Sequence, residues 1–349
     1  MRIAQVAPLQ VAVPPRAYGG TERVIANLTE ALVALGHDVT LFATGDSRTR
    51  AHLRAFVPKA LGFEGINEPH AYHIALLTQV YHDAAQFDVI HSHLDYLTLP
   101  FIHQTATPTV ITLHNRLDTP EEACVMRTYP DANYISISDD QRHPLPHIHW
   151  AATVYHGVNV DEFPFFPDPG GYLAFVGRIS PEKGPELAIE VAIRAGVPLK
   201  IAAKVDPKDR RYFRERIEPR LSHPLIEFLG PVGERRKRQL MGNALALLLP
   251  IDWPEPFGMV FIESLACGTP VLSRPRGAAP EVLREGVTGF MRESEDELVA
   301  AVGLLAQVSR QGCRDYVKER FDTMRMAHDY VRLYDALTRN AQPLSAAAL

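Results

Sequence analysis

Only three of the 349 residues are cysteine, Cys124, Cys267 and Cys313, and they are odd in number and far apart. That scarcity excludes a disulfide framework and a cysteine-based metal site, and it favours a reduced compartment. A basic excess is also lacking: 36 Lys and Arg stand against 41 Asp and Glu, a net charge of −5, which argues against a nucleic-acid binder. No stretch approaches the roughly 18 uninterrupted apolar residues of a membrane span. The start, M-R-I-A-Q-V-A-P, lacks the apolar core and cleavage site of a signal peptide. The expectation is a cytoplasmic protein, with peripheral membrane association left open. The dinucleotide fingerprint G-x-G-x-x-G is missing, so no nicotinamide or flavin site is proposed. H-E-x-x-H and D-x-D are missing too. Of the fifteen histidines, His91-x-His93 and His147-x-His149 have spacing that could supply metal ligands, but the expectation is no metal and no cofactor.

What is present is a soluble-protein balance of 46% apolar and 22% charged residues, long enough for two domains. Apolar strand-like runs alternate with helical stretches from Arg2–Ala7 onward, including Val89-Ile90, Val110–Leu113, Tyr134–Ile137 and Ala152–Tyr155. Helices are expected over Glu22–Leu35, with Thr21 as N-cap and Gly36 as stop, and over His70–Ala85. This alternation predicts an α/β fold with a mostly parallel, doubly wound sheet whose ligands lie at the carboxyl ends of the strands. His91, His93, His114 with Asn115, Ser136, Ser138 and Asp139 fall at such ends. His114 reads equally as a substrate-facing residue and as a hydrogen-bonded structural one. Gly19-Gly20 reads as a tight turn or as a close backbone approach to a ligand.

A linker, F-P-F-F-P-D-P-G-G, spans Phe163–Gly171. A second series follows: strand Tyr172–Val176, helix Pro185–Ala195, strand Leu199–Lys204, helix Asp209–Arg220 and strand Ile226–Leu229. The basic run E-R-R-K-R-Q-L is read as a solvated helix face. The domains are therefore 1–160 and 161–322, with a terminal helix over 323–340 added to the first and the tail Ala341–Leu349 read as disordered.

The stretch Pro250–Pro270 organises the second half. An apolar strand, Leu245–Leu249, feeds a loop broken by Pro254 and Pro256, and Gly258 opens an apolar helix that Gly268 stops. A helix N-terminus after such a loop is an anion site, suited to phosphate. Glu255 and Glu263 bracket it, which suggests hydroxyl-bearing groups on both sides of the phosphate. Arg178 and Lys183, in the turn G-R-I-S-P-E-K-G, supply a planar donor fork and a point charge for the same anion.

With these motifs the chain resembles glycosyltransferase family 4, retaining enzymes of the GT-B fold. The resemblance rests on Y-G-G-T-E-R-V (Tyr18–Val24), D-V-I-H-S-H (Asp88–His93), T-L-H-N (Thr112–Asn115), Y-H-G-V-N (Tyr155–Asn159), V-G-R-I-S-P-E-K-G (Val176–Gly184) and E-P-F-G-M-V-F-I-E (Glu255–Glu263). It implies two Rossmann-like domains facing across a cleft, acceptor in the first and donor in the second, with the last helix crossing back to the first domain. It implies a retaining, metal-independent transfer of a hexose from a nucleotide diphosphate sugar, UDP-hexose being the expected donor, to an acceptor hydroxyl. Arg178 and Lys183 would clamp the diphosphate. Glu255 would bond the sugar near its 3-hydroxyl, and Glu263 would grip the ribose. The backbone of Phe257, Gly258, Met259 and Val260 would meet the phosphates. Gly19 and Gly20 would approach donor and acceptor, and His114 would stand beside the sugar. Two departures are Gly277-Ala278-Ala279-Pro280-Glu281, where the family has paired glycines, and Ala203-Lys204-Val205, which brings Lys204 towards the nucleotide. The alternatives are a nucleotide-sugar epimerase of the same fold, a non-catalytic partner subunit, and a metal hydrolase built on the histidines.

Overall fold

The computed structural model describes residues 1–16, 19–62 and 68–340. Tyr18 of the first motif and the tail from Ala341 onward lie outside the described residues. The chain divides into two units, residues 1–157 with 323 to the C-terminus, and residues 158–322. The first crossing falls just before residue 160 because Val158 belongs to the second unit. Its N–H donates to the Phe321 carbonyl at 2.9 Å, and it bridges Asp322.

The first unit is built on a parallel sheet ordered β3-β2-β1-β4-β5-β6-β7. Its strands are β1 (Arg2–Val6), β2 (Asp38–Thr44), β3 (His52–Val57), β4 (Val89–Ser92), β5 (Thr109–Thr112), β6 (Asn133–Ser136) and β7 (Trp150–Thr153). β4 and β5 are buried at every position, as strands covered on both faces must be. Helices α1 (Gly20–Ala34), α2 (Pro69–His82) and α3 (Pro120–Thr128) connect the strands. The N-cap of α1 is Gly19, not Thr21, and no side chain caps it. β3 escapes detection in the sequence because it is a half-exposed strand carrying His52 and Arg54 among its apolar residues.

The second unit has a parallel sheet ordered β10-β9-β8-β11-β12-β13. The strands are β8 (Leu173–Arg178), β9 (Leu199–Lys204), β10 (Ile226–Phe228), β11 (Ala246–Leu249), β12 (Val271–Ser273) and β13 (Gly289–Met291). α4 (Pro185–Ala195) ends at Gly196 in the left-handed conformation. The continuous helix expected over Asp209–Arg220 is instead a broken one. Its first turn, α5 (Arg210–Tyr212), widens into a π-turn over Phe213–Ile217 and then tightens into a 3-10 turn over Glu218–Ser222. Pro219 lacks the N–H that would continue the helical ladder. α6 (Glu234–Gly242) and α7 (Met259–Ala266) flank β11, followed by α8 (Ala279–Val282), α9 (Glu295–Val302) and α10 (Arg310–Arg320). The three-residue strands β12 and β13 are too short to give a period in the sequence.

The closing helix α11 (Thr323–Asn340) returns to the first unit and packs on α1. It buries Met326, Ala327, Tyr330 and Tyr334 completely. No described helix is long and apolar enough to cross a membrane.

Candidate active site

In the second unit, the turn after β8 and the loop after β11 are stitched together at the carboxyl edge of the sheet. Gly184 has φ +69, and a Cβ there would lie 2.2 Å from the Pro250 carbonyl oxygen, so the two segments touch through backbone. The Asp252 N–H donates to the Glu182 carbonyl at 2.9 Å. This seam brings the Lys183 ammonium against Glu255 Oε2, which also accepts from Trp253 Nε1 at 2.7 Å. The ammonium lies 5.1 Å from the centroid of the Trp253 ring, within cation–π range. Glu255 is held from behind as well. The Ala278 N–H donates to its carbonyl at 2.9 Å, and Gly277 (φ +56) leaves no room for a Cβ, which would fall 2.2 Å from the Glu255 nitrogen. The departure at Gly277-Ala278 thus bears on the Glu255 backbone.

Arg178 pairs with Glu182 at 3.3 Å and Asp206 at 3.6 Å, and Asp206 receives Lys204 at 2.8 Å. Burial pushes the Asp206 carboxyl up, but the Lys204 hydrogen bond and the two positive charges outweigh it and hold it below its ordinary value. Lys204 therefore shares a carboxylate with Arg178.

Past Glu255, Phe257 is buried with its ring edge-on to Phe321, 5.9 Å between centroids. Gly258 caps α7 with φ +84, where a Cβ would meet the Phe261 ring at 2.6 Å. Met259 and Val260 are half-buried at the start of the first turn, where leading N–H groups lack an intrahelical acceptor, while the Phe261 N–H donates to the Gly258 carbonyl at 2.9 Å. One face of α7 carries Glu263, only 4% exposed, whose Oε2 is paired with Lys237 at 2.9 Å. This corrects the reading of E-R-R-K-R-Q-L as a solvated face. Lys237 sits between Glu234 and Glu263, and Arg238 pairs with Glu162 at 3.1 Å. Nothing in the local sequence marks Lys237 as inward-facing, because an i,i+3 Glu–Lys pair is equally at home on a solvated face.

In the first unit, parallel pairing aligns the ends of β1, β4 and β5, with Gln5 opposite His91 and His91 opposite Val110. A buried polar row results. Gln5 Oε1 meets His93 Nε2 at 2.9 Å, and His93 Nδ1 meets His114 Nε2 at 2.9 Å. The His114 ring stacks on His156, 5.2 Å between centroids. His91 bonds Tyr334 of α11 at 2.6 Å and Thr112 at 2.7 Å, and Thr112 bonds Tyr330 at 2.8 Å. Burial drives His91, His93 and His156 well below their ordinary value and His114 down to about 3, so all four rings are neutral near pH 7. The spacing His91-x-His93 thus serves a hydrogen-bonded row, and no group of three His, Cys, Asp or Glu able to hold a metal occurs among the described residues.

Two carboxyls in this unit escaped the sequence reading. Asp95 stands in the left-handed region at φ +43 and accepts from Asn115 Nδ2 at 3.1 Å, and its Oδ1 is buried with no hydrogen-bond partner of good geometry among the described residues. Burial, then the Glu122 charge, pushes it up to about 7. Glu22, in the first turn of α1, is pushed up to about 7 by burial. The Gly19-Gly20 pair divides in role. A Cβ on Gly19 would meet Pro15 at 2.8 Å and Glu22 Oε2 at 2.9 Å, whereas one on Gly20 would meet nothing within 4 Å.

Comparison with known proteins agrees with this geometry. The sequence pattern of the family described as "Glycosyl transferases group 1" matches residues 161–319, and that of "Glycosyltransferase Family 4" matches residues 18–162. The chain is 24% identical to the phosphatidyl-myo-inositol mannosyltransferase of Mycobacterium leprae, over the whole of both chains. It is 26% identical to the D-inositol 3-phosphate glycosyltransferase of Mycolicibacterium paratuberculosis, over 63% of this chain and 58% of that one. Among solved structures, sucrose-phosphate synthase from Thermosynechococcus elongatus superposes with a TM-score of 0.79 at 19% identity, over 97% and 99% of the two chains. HepE of Anabaena, solved with UDP and glucose, superposes with a TM-score of 0.73 at 18% identity, over 96% and 100%. Two doubly wound parallel sheets, with the carboxylates and cations gathered at the carboxyl edge of the second, give these matches a structural footing: the chain belongs to the group 1 glycosyltransferases and has the GT-B fold.

Proposed function

We propose that the protein moves a hexose from a nucleotide diphosphate sugar to an acceptor hydroxyl, with retention of configuration and without a metal. The observation that carries this reading is the pair of cation–carboxylate contacts flanking the Gly258 cap, Lys183 with Glu255 on one side and Lys237 with Glu263 on the other. A diphosphate at the start of α7 has a sugar at one end and a ribose at the other, and each end then has its own carboxylate. As the glycosidic bond breaks, charge grows on the diphosphate oxygens. Lys183, Arg178, Lys204 and the α7 N-terminus are the fixed positive groups that stabilise it, the role a divalent cation takes in other transferases. Phe257, Gly258, Met259 and Val260 supply the backbone that lines this end.

Glu255 would hydrogen-bond the transferred sugar and Glu263 the ribose hydroxyls. His114, with Gly19 and Gly20 in the same unit, would serve the sugar and acceptor side. UDP-hexose is the proposed donor, a choice in keeping with the UDP and glucose bound in HepE. The names of the two mycobacterial relatives make inositol derivatives the first acceptors to try.

The test is product analysis by NMR with UDP-glucose, UDP-galactose, GDP-mannose and ADP-glucose against inositol-type acceptors, with and without a chelator. A product with the donor's anomeric configuration, formed equally with the chelator, is expected. An inverted product or abolition by the chelator would overturn the corresponding part. Conversion of the donor alone into its epimer would favour the epimerase.

A further inference from the structure

The row from Gln5 to His114 has a direction. A neutral imidazole carries one N–H and one lone pair, so in a chain of rings each bond fixes the next. Gln5 Oε1 can only accept, and it lies 2.9 Å from His93 Nε2. The Gln5 amide nitrogen lies on the other side, 3.4 Å from the Tyr334 hydroxyl and 3.2 Å from His91 Nδ1, whose one lone pair is shared with the Tyr334 hydroxyl at 2.6 Å when His91 gives its Nε2 proton to Thr112 at 2.7 Å. His93 must then carry its proton on Nε2 and present a lone pair at Nδ1. His114 Nε2, 2.9 Å from that lone pair, must carry the His114 proton. His114 Nδ1 is left as a bare lone pair, and it is buried with no partner among the described residues.

We infer that Gln5 and His93 are positioning residues that hold His114 in its Nε2–H form, so that Nδ1 offers a hydrogen-bond acceptor to a hydroxyl of the sugar or acceptor. Burial supports this by keeping His93 neutral, since an imidazolium would donate from both nitrogens and erase the direction. The arrangement selects what His114 can bind. A hydroxyl group donates to the lone pair, whereas an ether, carbonyl or phosphate oxygen meets it as a second acceptor. Gln5 sits in β1 and α11 supplies Tyr334, so the far end of the row is anchored by two buried elements. The choice of group rests on the transferase reading above, while the tautomer itself does not.

The experiment is a long-range proton–nitrogen correlation spectrum of the full chain labelled with 15N-histidine, with the His114 signals identified by their loss in His114→Gln. The expected result is an unprotonated Nδ1 and a protonated Nε2 on His114. A proton on Nδ1 overturns the inference outright. Gln5→Leu removes the acceptor and should give a mixed His114 population. An unchanged single tautomer in that variant would remove Gln5 from the mechanism. The wild-type spectrum decides the direction even where Gln5→Leu fails to fold. Absence of sugar transfer with an intact Nε2–H tautomer would count against the proposed function and not against the row.

Discussion

Lys183 meets Glu255 across 72 positions of sequence, and both side chains are only 14% exposed. An ammonium so placed can serve a diphosphate and the carboxylate together. Replacing it with alanine removes one hydrogen bond to a charged group, about 1.5–3 kcal/mol, or roughly 10–150-fold in turnover. Steady-state kinetics of Lys183→Ala measure this, and an unchanged kcat would dismiss the phosphate role. The Lys237–Glu263 pair makes a different prediction. Lys237→Met leaves a buried carboxylate without its cation and should cost about 3 kcal/mol in a urea denaturation experiment. A loss under 0.5 kcal/mol or so would mean that Lys237 is the surface charge its sequence context suggested.

The residues legible in advance were those whose chemistry and local spacing coincide, such as Glu255 and Glu263 around a Gly-opened helix. Asp206, Lys237, Gln5 and Asp95 were not legible, since Arg178, Glu263, His93 and Asn115, which they meet, come from other segments of the chain.

At the scale of elements, the loop before α7 works as a rigid shelf. Gly277 and Gly184 are both left-handed, and in each the Cβ position is filled by backbone from the loop, at Glu255 and Pro250. Gly277→Ala should therefore displace Glu255 and cost about 2 kcal/mol or more, the scale of forcing an L-residue into strain and a backbone clash. Gly20→Ala, at the first position of α1 with no atom within 4 Å of the added Cβ, should be neutral or stabilise by up to about 1 kcal/mol. Thermal denaturation of the two variants gives the comparison, and equal losses would refute the shelf. Strands and helices with long apolar runs, such as β9 and α4, match their sequence reading to the residue. Elements set by tertiary context do not. The π-turn over Phe213–Ile217 and the short strands β12 and β13 have no local period to announce them.

For the whole molecule, the buried titratable groups of the first unit set the acid response. His73 is lowered to about 4, His114 to about 3, and His91, His93 and His156 well below the ordinary value, in each case first by burial. Between about pH 4 and 6.5 the unfolded chain protonates these five rings and the folded chain does not, so stability rises with pH across that window. Glu22 and Asp95, raised to about 7 by burial, work the other way, because the folded state keeps their protons where the unfolded state releases them. Five groups outweigh two, and Tm should climb from about pH 4.5 to about 7 and then level off as the histidines of the unfolded chain and the two carboxyls finish titrating. Calorimetry across this range checks the sign. A Tm that falls over the same interval would show that the carboxyls dominate.

The division of labour between Glu255 and Glu263 is the centre of the account, and titration calorimetry with UDP and UDP-glucose on Glu255→Ala and Glu263→Ala tests it most directly. Glu263→Ala is expected to weaken both ligands, whereas Glu255→Ala should weaken UDP-glucose and leave UDP unchanged. Equal weakening of both ligands by both variants, or loss of UDP binding in Glu255→Ala alone, would contradict it.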